Sequence, residues 1–136
     1  MAFNIQARIW ELQSNLTLNE SQDIQNNIRM NLLKSIIFGA LVGFSSVLLH
    51  NFASPFGLIA SLILTYLGIR IIKDKFFYMR YQILSSAAWL GVVIAAGTPG
   101  VGDEILIIGN TNGNLFLVGG FLSIIFALVK SRSRYR

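Results

Sequence analysis

Histidine is the side chain best suited to ligate a haem or chlorophyll metal, and this chain carries one, His50. Bis-histidine haem needs a second imidazole that the chain does not have, so an interfacial histidine is the simpler reading. Asp103 and Glu104 are adjacent carboxylates open in principle to a divalent cation. Without further ligands such a pair is ordinarily a solvated turn. The glycine-rich run 97–102 is not followed by Lys-Ser/Thr, so it lacks the phosphate-cradling pattern. With no cysteine there is no thiol nucleophile, no disulfide and no Cys-based zinc or iron–sulfur site. No Ser/His/Asp set or metal-ligand cluster is present either. The expectation is a protein that is not an enzyme and holds no cofactor.

The elements that carry these residues are set by composition. Of 136 residues, 54% are hydrophobic and 12% charged, with a mean hydropathy of +0.61. Average soluble domains carry about 25% charged residues. A chain this short cannot hide so much apolar surface in one core, and it is too hydrophobic to be disordered. An integral membrane protein remains. The formal net charge of +5 then reflects cationic cytoplasmic loops rather than a nucleic-acid partner.

Residues 35–69, 81–102 and 105–129 contain no charge. A spanning helix needs about 20 apolar residues, so the first stretch holds two spans, separated at residues 50–55 where Pro55 disfavours helix continuation. The expected spans are 34–51, 56–73, 80–98 and 114–130, arranged as two hairpins. The fourth begins uncertainly, because residues 109–114 form a turn-rich break. All eleven cations fall before or at the start of span one, around the facing ends of spans two and three, or at and after the end of span four, all on one side. The positive-inside rule puts both termini on the cytoplasmic side or its organellar equivalent. No ionisable residue lies mid-span, which removes the usual mark of a proton-coupled transporter. Arg70 sits within a turn of the cytoplasmic end and is expected to snorkel.

Residues 1–30 read as a separate amphipathic region, with 31–136 as the four-helix domain. Ile5, Ile9, Leu12 and Leu16 share one helical face, bordered by Phe3 and Trp10. Such a helix either lies in the membrane interface or packs on the protein's own cytoplasmic surface. Residues 3–23 hold no apolar run of signal-peptide length, so insertion is expected to rely on the first span. Thr17 and Glu20 match a capping box that would open a second helix. Residues 29–35 align with 80–86, as a duplicated hairpin or chance matching would produce.

Small residues recur every four positions in each span. They are Gly39 and Gly43; Gly57, Ser61 and Thr65; Ala87, Gly91 and Ala95; and Gly119, Ser123 and Ala127. In lipid, helices associate through close backbone approach at such positions, and hydroxyls at Thr65, Ser85, Ser86 and Ser123 are placed to bond across helices. Trp89, near the middle of span three, is expected to pack internally, or else to stack on a pigment, quinone or lipid. Phe76, Phe77, Tyr78 and Tyr81 form an aromatic anchor at the cytoplasmic boundary. The run 105–108 is an edge strand, an interfacial dip or a contact patch. With an interior expected to be featureless and no span showing a continuous polar face, the reading is a structural or accessory subunit of a larger membrane assembly or lattice. The partners are lipid and other membrane subunits or copies of itself. The alternative is a self-associating pore, channel or membrane-permeabilising protein.

Overall fold

The computed structural model describes residues 2–52, 55–99, 105–107 and 109–130, with backbone alone for residues 2 and 3. The carboxylate pair Asp103–Glu104, residues 100–102 of the glycine-rich run, and Arg132, Arg134 and Arg136 lie outside the described residues. The chain is all-helical, 90% helix, with no strand among the described residues. Its elements are α1 (Ala2–His50), α2 (Phe56–Phe76), α3 (Met79–Gly97) and α4 (Thr111–Lys130). All four are long and apolar enough to cross a membrane.

Two compact units divide the chain, Met1–Leu32 and Leu33–Arg136. In the first, helix runs without interruption from Ala2, so the Thr17–Glu20 pattern does not open a new one. The Thr17 hydroxyl donates to the Ser14 carbonyl at 2.9 Å, and Ser14 and Ser21 do the same to Glu11 and Leu18. Each hydroxyl is satisfied within the helix, which removes its reason to break it. Ile5, Ile9, Trp10, Leu12 and Leu16 are all exposed.

The second unit is built from the later part of α1 with α2, α3 and α4. Pro55 precedes α2, where its missing N–H costs nothing. α2 ends as Phe77 adopts the left-handed conformation, φ 58°, and its N–H bonds to Lys73 O. Lys73 and Lys75 in that last turn suit the negative end of the helix dipole. The turn into α3 is held by aromatics. Tyr81 lies 5.3 Å from Phe76 and 6.1 Å from Tyr78, and the Arg80 guanidinium sits over the Tyr78 and Tyr81 rings.

α4 starts three residues before the expected 114. Asn110 Oδ1 accepts the Gly113 N–H at 2.8 Å, an N-terminal cap that turns the Gly-Asn break into a helix start. The run 105–108 is not a strand among its described residues. Leu106 and Ile107 donate their N–H groups to Ala96 O, satisfying a carbonyl at the end of α3. Ile107 is buried in the core, while Ile105 and Leu106 remain exposed.

Burial is inverted relative to a water-soluble protein. Leu41, Phe44 and Leu48 on α1, Ile59 and Ile63 on α2, and Phe121 and Phe126 on α4 face outward. Inside lie Ser35, Ser46, Ser61, Thr65, Gln82, Ser85 and Ser86 together with Val47, Ile69, Trp89 and Phe116. In lipid this inversion is favourable, because the outside is as apolar as Leu while polar groups need partners within the protein.

Candidate functional site

The interior of the second unit is a set of close helix contacts. On α1 the inward positions are Ser35, Gly39, Val42, Gly43, Ser46, Val47 and His50. Gly39 rests on Ser85 of α3, where an added Cβ would collide with both the carbonyl and the hydroxyl oxygen. At Gly43 an added Cβ would come to 3.3 Å from Trp89 Cα and Cδ1. Numbering therefore rises together on α1 and α3. Against α2 it runs oppositely: Gly68 meets Val42, Thr65 and Ser61 meet Ser46, and Gly57 meets the Leu49 and Phe52 carbonyls. α4 uses two glycines for two neighbours. Gly119 faces Leu62 of α2 and Gly120 faces the Trp89 ring, with an added Cβ at 2.9 and 2.6 Å respectively. α2 packs more extensively on α4 than on α3.

Among the described residues, hydrogen bonds cross between three pairs of helices. The Ser35 hydroxyl donates to Tyr81 O at 2.6 Å, the Ser46 and Thr65 hydroxyls pair at 3.0 Å, and Gln82 Nε2 donates to Ala127 O at 3.1 Å. They link α1 to α3, α1 to α2, and α3 to α4. Of the four hydroxyls expected to bridge helices, Thr65 does. Ser86 and Ser123 instead bond back to Gln82 O and Gly119 O on their own helices. Ser85 Oγ and Trp89 Nε1 are buried without a hydrogen-bond partner among the described residues.

An aromatic group closes the end of the bundle. The His50 ring stacks on Phe116 at 4.5 Å between centroids, and Phe116 lies 6.0 Å from Trp89. His50 Nδ1 bonds to Val47 O. His50 is 2% exposed, so at the end of α1 it is packed against the bundle. Its own last-turn carbonyl gives it a polar partner, and Phe116 covers its face. Among the described residues no three His, Cys, Asp or Glu side chains converge on a metal position.

The expected packing residues divide into two groups. Gly39, Gly43, Gly57, Ser61, Thr65 and Ala127 are buried, and Gly119 and Ser123 are half-buried between α2 and α4. Ala87, Gly91 and Ala95 are exposed, and nothing lies within 4 Å of a Cβ added to Gly91. The inward face of α3 is carried by Gln82, Ser85, Ser86, Trp89 and Val93, because the large indole and the polar side chains take the interior. The interior is accordingly not featureless. Ser35, Ser46, Gln82, Gly68 and Gly120 were not singled out from the sequence; the signal available was their fit to the small or polar stripe of each helix.

Two outward grooves flank α4. One, about 370 Å³, is lined by Leu62, Ile63 and Tyr66 of α2 with Ser123, Phe126 and Lys130 of α4. The other, about 390 Å³, lies between α3 and α4 and is apolar apart from the Trp89 indole. Comparison with protein-family models, with curated proteins and with solved structures found no match for the chain.

Proposed function

We propose that this is a non-catalytic structural or accessory subunit of a larger membrane assembly or lattice. It would span the bilayer four times, as two hairpins, with both termini on the cytoplasmic side. The observation that carries this reading is the outward stripe Ala87, Gly91 and Ala95 on α3. The stripes on α1, α2 and α4 are buried or half-buried in the bundle; here the same pattern faces outward with open space at Gly91. On a lipid-facing surface such a stripe lets a second helix come to backbone distance. The occupant is another subunit or another copy of the chain.

Purification in mild detergent should give a particle larger than the monomer, containing either other chains or several copies. Gly91→Leu should reduce that particle to the folded monomer. A wild-type particle that is strictly monomeric would overturn the reading. A self-associating pore is the second reading, favoured by the buried hydroxyls and amide on α1, α2 and α3. Their hydrogen bonds across helices support packing instead. Solute flux through reconstituted vesicles would favour the pore, and tight vesicles would remove it.

A further inference from the structure

The groove between α2 and α4 differs from the other in having a cationic end. Its walls are Leu62, Ile63 and Phe126, and Lys130 stands at its mouth. Tyr66 lines it as well, and the Tyr66 hydroxyl accepts a hydrogen bond from Arg70 Nη1 at 3.0 Å. The Arg70 guanidinium lies 6.0 Å from the centroid of the Tyr66 ring. Arg70 is therefore held against the Tyr66 side chain on its own helix. A helical side chain leans toward the N-terminal turn, and Tyr66 anchors the guanidinium there, beside the groove. Arg70 has five N–H donors and spends one on Tyr66. Asp74, one turn farther on α2, is exposed and not ion-paired with Arg70 among the described residues.

We propose that this groove binds one anionic glycerophospholipid. The phosphate is held between Arg70 and Lys130, and an acyl chain lies along Leu62, Ile63 and Phe126. Charge complementarity selects the occupant, because Lys130 lines one end of an apolar channel and Arg70 is tied to Tyr66 on its wall. An arginine fork suits phosphate oxygens, and a groove of about 370 Å³ is within the usual range for small-molecule sites. The proposal rests on membrane insertion but not on assembly, so a monomeric particle would leave it standing.

The test is native mass spectrometry of protein taken from bilayers of phosphatidylcholine mixed with phosphatidylglycerol. Wild type should retain one phosphatidylglycerol in preference to phosphatidylcholine. Arg70→Gln and Lys130→Gln should each lower that retention about fivefold, the effect of one basic residue near a charged leaflet. Arg70→Lys, which keeps the charge, should retain more than Arg70→Gln. Lys75→Gln, about 140° around α2 from Arg70, should behave as wild type. Ile63→Trp fills the apolar channel with both cations intact and should also lose the lipid, which separates a lipid from free phosphate bound at the cations. Equal retention by wild type, Arg70→Gln and Lys130→Gln would overturn the proposal, as would an equal loss in Lys75→Gln.

Discussion

Gly39 on α1 and Gly91 on α3 belong to the same kind of four-residue pattern, and their surroundings are opposite. A Cβ at Gly39 would strike the backbone of Ser85, whereas a Cβ at Gly91 would meet nothing within 4 Å. The difference arises on α3. Ser85 and Trp89 lie about 200° around the helix from Ala87 and Gly91, and the interior accepts the indole, Gln82 and the hydroxyls. Small residues make a close contact possible; they do not decide which contact is made. In lipid the polar and largest side chains take the inside first, and a small stripe left outside is available to a partner.

The strongest way to break this comparison is to empty the inward face of α3. Trp89→Ala should cost about 3–5 kcal/mol, the range for deleting a large buried aromatic, because Trp89 contacts α1 and α4 at Gly43 and Gly120. Thermal unfolding in detergent would measure it. Next comes Gly39→Leu. Overpacking typically costs about 1–3 kcal/mol, and here the side chain would have to displace the backbone of Ser85. Gly43→Leu should behave similarly but less severely, since its added Cβ would come no nearer than 3.3 Å to Trp89. Leu41→Ala is the matched control: Leu41 is 58% exposed, and its loss should stay within about 0.5 kcal/mol.

Hydrogen-bond variants sharpen the same contrast at smaller amplitude. Gln82→Leu and Ser46→Ala should each cost about 0.6 kcal/mol, the average for polar contacts between membrane helices. A Ser46→Ala/Thr65→Val cycle would isolate their pairing. The smallest effect on the monomer should come from Gly91→Leu, with unfolding unchanged because the site is open. Its effect should fall on particle size instead.

Much of the fold was legible in the chain. Charge-free stretches located all four helices, and Pro55 and the cationic turn after α2 marked two of the breaks between them. The capping box misled because a hydroxyl within a helix can bond back to its own carbonyls, as at Thr17. The start of α4 was misplaced because an Asn in a Gly-rich turn serves equally as turn former and as cap. The part played by Leu106 and Ile107 could not be read, since it depends on a carbonyl at the end of α3 that no local pattern announces. The inward face of α3 was read in part: Trp89 was expected inside and Ser85 and Ser86 to bond across helices, but the Ala87, Gly91 and Ala95 stripe was expected to pack as well. Two faces of that helix look suitable for packing, and only the partners Gly39, Gly43 and Gly120 select between them.

Site-directed photo-cross-linking along α3 tests the central claim most directly, because the chain has no cysteine of its own to compete for the label. Single Ala87→Cys, Gly91→Cys and Ala95→Cys variants would be labelled with a thiol-reactive photo-cross-linker and irradiated in native membranes, with Leu48→Cys and Ile59→Cys as exposed controls on α1 and α2. If the outward stripe is an assembly surface, the three α3 positions should form adducts, with a second copy or with a partner chain, and the controls should not. No adduct at any of the three, or equal adducts at Leu48 and Ile59, would show that the stripe faces only lipid.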